Sequence, residues 1–228
     1  GQYGKTFRST DNGSSWDNET CQILEENLNG VTYGSNTFVA VGESGRVVRS
    51  TDNGTSWSTS SSGSNQQLNG VTYGSSSFAV VGDNGVIITS TDGTSWTGRT
   101  DPRYSDSYIR DYEGVAYGNN IFLAVGDYSK IIKSTNSSGS SWSLISNSRC
   151  NGAHNCYNYT GTLRGVAFGN STFVAVGNSG RIFRSTNNGT SWSTRNSSGS
   201  DLYGVTFGNN TFVAVGDSGR ILRSEDNG

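Results

Sequence analysis

The sequence predicts an all-β protein, a β-propeller of four-stranded blades, and three observations predict it. A unit that begins with Leu-x-Gly-Val, or a close variant, recurs five times, and the valines of successive units lie 39 to 51 residues apart. Each unit holds four short runs of β-branched and aromatic residues between Gly- and Asn-rich turns. All five tryptophans occupy the same place in the unit. Repeats of about 40 residues with four strands each are typical of propellers.

Composition excludes several other classes of protein. Apolar residues make up 31% of the chain and charged residues 15%, yet aromatic residues reach 11% and recur regularly, which is not the pattern of a disordered chain. The formal net charge of −2 provides no basic surface for nucleic acid. No apolar run approaches the roughly 20 residues of a membrane-spanning helix. We therefore expect neither nucleic-acid partners nor membrane insertion.

The order of strands can be followed in the unit at residues 28–57. The first predicted strand is 30–33, the second 38–41 and the third 46–51, and the fourth surrounds Trp57. The second and third strands are apolar at consecutive positions, which is typical of strands covered on both faces. Blades of a propeller meet this condition because each is packed between two neighbours.

Two insertions interrupt the repeat, at residues 98–112 and 144–162. Both fall between the fourth strand of one unit and the first strand of the next. In a propeller this connection lies on the same face as the turns between second and third strands, and the turns between third and fourth strands lie on the opposite face. We therefore expect the variable parts of the chain on one face.

A recurring turn joins the third and fourth strands. It reads Ser-Thr-Asp-Asn-Gly-Ser-Ser-Trp at 9–16 and recurs at 50–57, 90–96, 134–142 and 185–192, with a truncated copy at 224–228. This turn resembles the Asp-box, also called the bacterial neuraminidase repeat, with the pattern Ser-x-Asp-x-Gly-x-Thr-Trp. By this resemblance the chain is identified as a non-catalytic member of the Asp-box propeller family. The resemblance implies that the box is a folding element, away from any active site.

The residues of the box have physical roles that suit a turn. Asp52 is expected to accept backbone N–H bonds, Gly54 to supply a positive φ, and Trp57 to pack between neighbouring sheets. Asparagine replaces the acid in two copies and keeps an acceptor oxygen. The structural box residues are Asp11, Asp52, Asp92, Asn136 and Asn187, with Trp16, Trp57, Trp96, Trp142 and Trp192.

The number of units predicts the number of blades. Gly1 aligns with Gly216, 215 residues later, which corresponds to five units and a short overlap. We expect one domain over residues 1–228 that closes as a five-bladed ring, with the strand at Trp16 completing the last blade. Residues 5–10 then duplicate residues 220–225. Alternatively, the units assemble head to tail, or the chain is a piece of a longer protein whose other segments complete six or seven blades.

Sialidases share the Asp-box, so the resemblance raises the question of catalysis. A sialidase would need three arginines on the ligand face, an Arg-Ile-Pro motif near the start and a Tyr–Glu pair, but the only proline is Pro102, inside an insertion. Arginine recurs at one repeat position, which indicates packing, at Arg46, Arg181 and Arg220. Other glycosidases need two facing carboxylates, and the candidates are Asp101, Asp106, Asp111 and Glu113. We expect no catalytic residues and no cofactor.

Two sets of metal-ligating residue types have simpler interpretations. Cys150 and Cys156 lie in one loop around His154, and we expect a local disulfide rather than a metal site, because Cys21 is far away in sequence. Acids or amides recur in the second-to-third-strand turns, where calcium binding is the alternative to ordinary turn chemistry. We expect turn chemistry at Glu43, Asp83, Asp127, Asn178 and Asp217.

Nine Asn-x-Ser/Thr sequons occur, and Asn12, Asn53 and Asn188 among them belong to the box turn. In a suitable secretory pathway, such asparagines accept glycans. The candidate glycosylation sites are Asn18, Asn136, Asn158, Asn170, Asn196 and Asn209.

We expect a non-enzymatic extracellular scaffold for surface, adhesive or fibre-forming assembly. Its partners would be other protein chains, including copies of itself through an unpaired edge strand. The alternative is a lectin on the insertion-bearing face, where tyrosines would stack on sugars. These tyrosines are Tyr104, Tyr108, Tyr112, Tyr157 and Tyr159. A glycosidase is the least favoured function.

Overall fold

The computed structural model describes residues 1–20, 26–102, 111–145, 161–195, 199–224 and 228. The strands are β1 (Lys5–Arg8), β2 (Asp17–Thr20), β3 (Leu28–Gly34), β4 (Thr37–Gly42), β5 (Arg46–Ser50), β6 (Ser58–Ser61), β7 (Leu68–Gly74), β8 (Ser77–Gly82), β9 (Ile87–Ser90), β10 (Thr97–Gly98), β11 (Tyr112–Gly118), β12 (Ile121–Gly126), β13 (Ile131–Ser134), β14 (Trp142–Leu144), β15 (Leu163–Gly169), β16 (Thr172–Gly177), β17 (Arg181–Ser185), β18 (Ser193–Thr194), β19 (Leu202–Gly208), β20 (Thr211–Gly216) and β21 (Ile221–Ser224). The 3-10 turns are Gln2–Gly4, Glu43–Gly45, Asp83–Gly85, Asp127–Ser129, Asn178–Gly180 and Asp217–Gly219. Within these ranges, no helix has the length and apolar character needed to cross a membrane.

The strands form five antiparallel blades and one half-blade. Blade 1 contains β3–β6, blade 2 β7–β10, blade 3 β11–β14 and blade 4 β15–β18. Blade 5 contains the three described strands β19–β21, and β1 and β2 pair as a two-stranded sheet, which we call the N-terminal half-blade. Within each blade the strands follow one another in chain order. This architecture confirms the predicted all-β propeller with five blades.

Apolar layers lie between neighbouring blades. Between blades 1 and 2, Val39 and Val41 of β4 pack against Phe78 and Val80 of β8. Equivalent layers join blades 2 and 3, blades 3 and 4, and blades 4 and 5. The first strand of each blade also contacts the first strand of the next. The core is therefore divided among radial layers, and the inner strands are covered on both faces.

In blades 1 to 4, a glycine at the end of the first strand receives an aromatic ring from the next blade. A methyl group at Gly34 would lie only 2.0 Å from the Tyr73 ring. Any larger residue would therefore push the two blades apart. Blades 2 to 5 repeat this contact, between Gly74 and Tyr117, Gly118 and Phe168, and Gly169 and Phe207.

The turn between the third and fourth strands of blade 1 is organised by Asp52, and we call it the Ser–Asp turn. Asp52 Oδ1 accepts the Ser56 N–H at 2.9 Å and the Ser50 hydroxyl at 2.7 Å. Ser50 Oγ accepts the Gly54 N–H at 2.8 Å. The Trp57 indole N–H donates to the Gly54 carbonyl at 3.2 Å, and Gly54 has a φ of 81°. The side chains of the turn thus provide hydrogen-bond partners for its backbone N–H and C=O groups.

Copies of the Ser–Asp turn differ in small ways. Asn136 and Asn187 replace the acid, and their Oδ1 atoms accept backbone N–H groups at 3.1 and 2.9 Å. In the shorter turn of blade 2, Asp92 Oδ1 accepts two N–H groups at 2.8 Å. Trp96, Trp142 and Trp192 pack in the apolar layers between blades, and Trp57 packs against Ala40 and Val48 of its own blade. Trp16 is 62% exposed, because the half-blade lacks the second strand that carries the phenylalanine beside the other tryptophans.

The connections between blades lie beside the second-to-third-strand turns. The Asn84 N–H donates to Asp111 Oδ1 at 2.9 Å, and the Thr162 hydroxyl donates to Asp127 Oδ1 at 2.8 Å. Asp111 and Thr162 are described residues at the ends of the two insertions. Both insertions therefore begin or end on one face, which is the arrangement that their place in the repeat predicts.

The ring closure expected from the sequence is absent from the described residues. The Ser–Asp turn at Asp11 joins β1 and β2 as a local hairpin, so β2 pairs with β1 and does not complete blade 5. A methyl group at Gly208, the blade 5 counterpart of Gly34, would meet no atom within 4 Å. The expectation of a closed ring is therefore wrong here: the five blades form an open arc with two free ends.

Substituting Gly74 by alanine tests the contact between blades. The added methyl group would lie 2.0 Å from the Tyr117 ring, so we expect Gly74→Ala to lower the free energy of unfolding by about 1–3 kcal/mol. Gly208→Ala is the matched control, and we expect a change within about 0.5 kcal/mol because its surroundings are open. Urea denaturation measures both. Equal effects of the two substitutions would contradict the described stacking.

The Ser–Asp turns also predict a dependence of stability on pH. Hydrogen bonds from the side chain and backbone of Ser15 lower the pKa of Asp11 to about 2, and equivalent bonds from Ser56 lower the pKa of Asp52. Backbone N–H groups of Ser95 and Thr94 lower the pKa of Asp92. Because folding lowers these pKa values, the stabilisation is complete above the unfolded pKa of about 4 and is lost as pH falls through the folded values.

We therefore expect the variant D11N/D52N/D92N to fold and to lose less stability than the native chain between roughly pH 5 and pH 2. Asparagine suits the turn because Asn136 and Asn187 already hold it in two blades. Chemical denaturation at a series of pH values provides the measurement. Parallel stability curves for the two proteins would show that these carboxylates do not carry the effect.

Candidate interaction surface

The N-terminal half-blade stands beside blade 1 in the position of a preceding blade. Gly1 and Leu28 exchange two backbone hydrogen bonds of 2.9 Å. Arg8 donates to the Thr55 hydroxyl in the Ser–Asp turn of blade 1 and forms an ion pair with Asp17 at 3.2 Å. Because β1 and β2 match the third and fourth strands of the repeat, the half-blade contains no first or second strand among the described residues.

An open groove of about 500 Å³ lies between the half-blade and blade 1. Phe7 and Trp16 line one wall, and Val31, Phe38 and Trp57 line the other. At the junction of blades 1 and 2, the corresponding space is filled by the second strand of the preceding blade. The groove therefore lies where two strands of a complete preceding blade would pack.

Apolar side chains of blade 1 are exposed at this groove. Val31 is 62% exposed and Tyr33 51% exposed. Their counterparts in blade 2, Val71 and Tyr73, pack in the layer that blade 1 covers. Contiguous exposed apolar faces are uncommon on soluble proteins and mark sites of interaction.

Blade 5 exposes the opposite kind of blade face at the other end of the arc. Val215 is 46% exposed and Ile221 is 70% exposed. Val41 and Val47 hold these positions in blade 1 and are fully buried against blade 2. The arc thus ends in two different faces. Blade 1 exposes Val31 and Tyr33 at one end, and blade 5 exposes Val215 and Ile221 at the other.

Two third strands lie at a sheet edge in the part of the chain that the structure describes. A complete blade pairs its third strand on both sides, as β5 pairs with β4 and β6. By contrast, β1 pairs with β2 alone, and β21 pairs with β20 alone. An edge strand can accept an added strand through its backbone N–H and C=O groups. The edge of β1 borders the groove.

The turns between second and third strands use their acids and amides in hydrogen bonds. Asn27 donates to Glu43 at 2.9 Å and Asn69 donates to Asp83 at 2.8 Å. The remaining bonds are Thr162 to Asp127, Arg164 to Asn178, and Tyr203 to Asp217. Across the part of the chain that the structure describes, no three His, Cys, Asp or Glu side chains are grouped to hold a metal ion.

The carboxylates considered for catalysis make different contacts. Asp101 accepts the Tyr112 hydroxyl at 2.9 Å, and Asp111 accepts the Asn84 N–H. Burial raises the pKa of Glu113, the positive charge of Arg164 opposes that rise, and nearby acids, Asp111 among them, add to it. Asp106 lies outside the described residues. Asp101 and Asp111 thus attach the ends of the insertion to blades 3 and 2.

Two of the recurring arginines bond to different kinds of segment. Arg46 forms an ion pair at 2.7 Å with Glu26, which precedes the first strand of its own blade. Arg181 donates at 3.4 Å to the hydroxyl of Ser129, in the second-to-third-strand turn of blade 3.

One of the predicted sugar-stacking tyrosines is corrected by the structure. Tyr112 is fully buried between blades 2 and 3, so its ring offers no surface to a sugar. It occupies the first position of a first strand, where the other four blades have leucine. Several other predicted site residues lie outside the described residues: Tyr104, Tyr108, Tyr157, Tyr159, Cys21, Cys150, His154, Cys156, Asn158 and Asn196.

The described sequon asparagines lie in turns or on an outer strand. The Asn136 side chain bonds within its Ser–Asp turn. Asn170 and Asn209 are exposed in turns between first and second strands, with φ of 45° and 46°. Asn18 is part of β2.

Sequence analysis missed the residues that line the groove. Val31 and Phe38 match interior positions of the other units, so their types give no sign of exposure. The available signal was the order of strands. The described strands before blade 1 match a third and a fourth strand, so no described first or second strand covers its face.

No protein-family model and no curated protein sequence matches the chain. Solved structures do match its fold. A structure of YCF48 bound to D1 peptide has a TM-score of 0.65 at 17% identity, covering 89% of this chain and 64% of that one. YCF48 from Cyanidioschyzon merolae has a TM-score of 0.63 at 16% identity, covering 90% and 68%. A nidogen/laminin complex has a TM-score of 0.62 at 11% identity, covering 94% and 83%.

The comparisons support the propeller architecture. Because the sequence identities are 17% or less, they concern the fold alone. The chain spans less than two thirds of the length of the first YCF48 structure.

Because the blade 1 face is open, we expect the same substitution to change the free energy of unfolding less at Val31 than at Val71, its counterpart in blade 2. We expect Val31→Glu to change the free energy of unfolding by no more than about 0.5 kcal/mol, because the new charge stays in water. Val71→Glu should cost at least about 2 kcal/mol, because the charge enters the layer between blades 1 and 2. Thermal and urea denaturation at low protein concentration compare them. A large cost at Val31 would mean that this face is covered.

Proposed function

We propose that this chain is a non-enzymatic scaffold that binds extended segments of other polypeptides in the groove beside blade 1. The observation that carries the proposal is an exposed apolar face next to an unpaired strand edge. Val31 and Tyr33 offer apolar contact, and β1 offers backbone N–H and C=O groups. An added strand gains main-chain hydrogen bonds from such an edge and specificity from such a face.

We also propose that the Ser–Asp turns belong to the Asp-box type and serve folding alone. Asp11, Asp52 and Asp92 use their carboxylates within the turn, on the face opposite the insertions. Asp101 and Asp111 are engaged by the Tyr112 hydroxyl and the Asn84 N–H, which hold the ends of the insertion. These observations favour binding over catalysis.

We place the scaffold outside the cell or at its surface, in an adhesive or fibre-forming assembly. The Gly-, Ser-, Thr- and Asn-rich composition and the nine sequons favour this location. The neighbouring propellers support a role in polypeptide binding, because one is described with D1 peptide and another in a complex with laminin.

A lectin is the second candidate. The observation that favours it is the exposed Tyr128, in the blade 3 turn on the insertion-bearing face. A tyrosine ring in that position offers a flat surface to a sugar.

The two functions are separated by two probes. The first is a fluorescein-labelled peptide of alternating valine and threonine with lysines at its ends, and the second is a glycan array. We expect the native chain to bind the peptide, and Val31→Arg to weaken binding by at least about tenfold, which corresponds to about 1.4 kcal/mol. Fluorescence anisotropy measures the affinity.

Tyr128→Ser is the control for the groove variant. Serine occupies the equivalent turn position at Ser44, Ser179 and Ser218, so the turn should be unchanged. Peptide binding should persist in this variant. Glycan binding that free sugar blocks and that Tyr128→Ser removes, without any binding of the peptide, would overturn the scaffold in favour of the lectin.

A further inference from the structure

We propose that the chain associates head to tail, with the β19–β20 hairpin of one copy filling the groove beside blade 1 of the next copy. The inference rests on the proposed role of that groove as a binding surface, and it names the occupant. The occupant is a second copy because the strands and the surfaces that the groove lacks are those that blade 5 presents.

The strands of the half-blade and those of the β19–β20 hairpin complement each other. The half-blade supplies a third and a fourth strand, and β19 and β20 are a first and a second strand. Together they form one complete blade. Pairing of β20 with β1 would repeat the pairing of β4 with β5. Since β21 duplicates β1, one of these two third strands must leave the shared blade.

The glycine contacts are complementary as well. At all four internal junctions, glycines of one first strand lie against the first strand of the next blade, and the last of them receives an aromatic ring. At the free ends, Gly204 and Gly208 of β19 contact no next blade among the described residues, while Val31 and Tyr33 of β3 are exposed. A junction between copies would therefore seat the Tyr33 ring on Gly208.

The apolar layer would be completed in the same way. Val39 and Val41 of blade 1 cover Phe78 and Val80 of blade 2. In blade 5 the counterparts of the two valines are Val213 and Val215, and Val215 is 46% exposed. In blade 1 the counterparts of the covered pair are Phe38 and Ala40, both of which line the groove. The head-to-tail contact thus continues an interface that the chain already forms four times.

The two faces of this contact differ, so the association is heterologous. Each copy keeps one free end after binding a partner. Heterologous contacts build rings when the rotation closes and open filaments when it does not. The proposed assembly therefore grows with concentration beyond a dimer.

Two variants block opposite ends of the chain. Val31→Glu places a charge on the groove face and leaves blade 5 unchanged. Gly208→Phe fills the site that would receive Tyr33, at a position where the native chain has open space and no positive φ. Gly98→Phe is the matched control, because Gly98 is also open and lies on β10, away from both ends.

Analytical ultracentrifugation over a series of concentrations tests the proposal. We expect the native chain and Gly98→Phe to form species larger than a dimer. Val31→Glu and Gly208→Phe alone should be monomers. Mixed in equal amounts, they should form a dimer and nothing larger, because the free blade 5 face of the first fits the free groove of the second.

A native chain that stays monomeric at all concentrations would overturn the proposal. That result is expected if the chain's own β19–β20 hairpin, or a chain segment outside residues 1–228, fills the groove. Assembly that survives both blocking substitutions would overturn it in favour of another surface. Neither result removes the proposed scaffold function, because binding of the valine–threonine peptide reports on the groove separately. Failure of the monomeric Gly208→Phe variant, whose groove is free, to bind the peptide would count against that function alone.

Discussion

The structure depends on one contact between blades: a glycine at the end of a first strand accepts an aromatic ring of the next blade. The contact leaves no room for a side chain at Gly34, Gly74, Gly118 or Gly169. It sets the distance between adjacent first strands and brings the second and third strands within packing range of the neighbouring sheet. The apolar layers between blades follow from that distance, because each layer is filled by alternate residues of two sheets.

A core made of layers between blades leaves one apolar face uncovered at each end of a row of blades. Each blade buries one face against the blade before it and the other against the blade after it, as in other stacked repeats. The first and last blades must therefore leave a face uncovered or find a partner. Here the two uncovered faces are the two halves of the internal contact, with Val31 and Tyr33 at one end and Gly204 and Gly208 at the other.

The polar residues of the repeat serve the backbone. The Ser–Asp turns are exposed, yet their carboxylates accept enough hydrogen bonds to lower the pKa of Asp11, Asp52 and Asp92. On the other face, the turn acids bond to Asn27, Asn69, Thr162 and Tyr203. The acids and amides that resemble a cation site in the sequence are thus part of the hairpins.

The four-stranded unit, the number of units and the face that carries the insertions can be predicted from the amino-acid sequence. Local chemistry is sufficient for these features, because turn residues and apolar runs act over a few neighbouring positions. The burial of Tyr112, the exposure of Trp16 and the pairing of β2 with β1 rather than with β21 follow from the packing of the blades and could not be predicted in this way. The reason is that equivalent positions of similar units carry similar residues, while burial depends on whether a neighbouring blade is present.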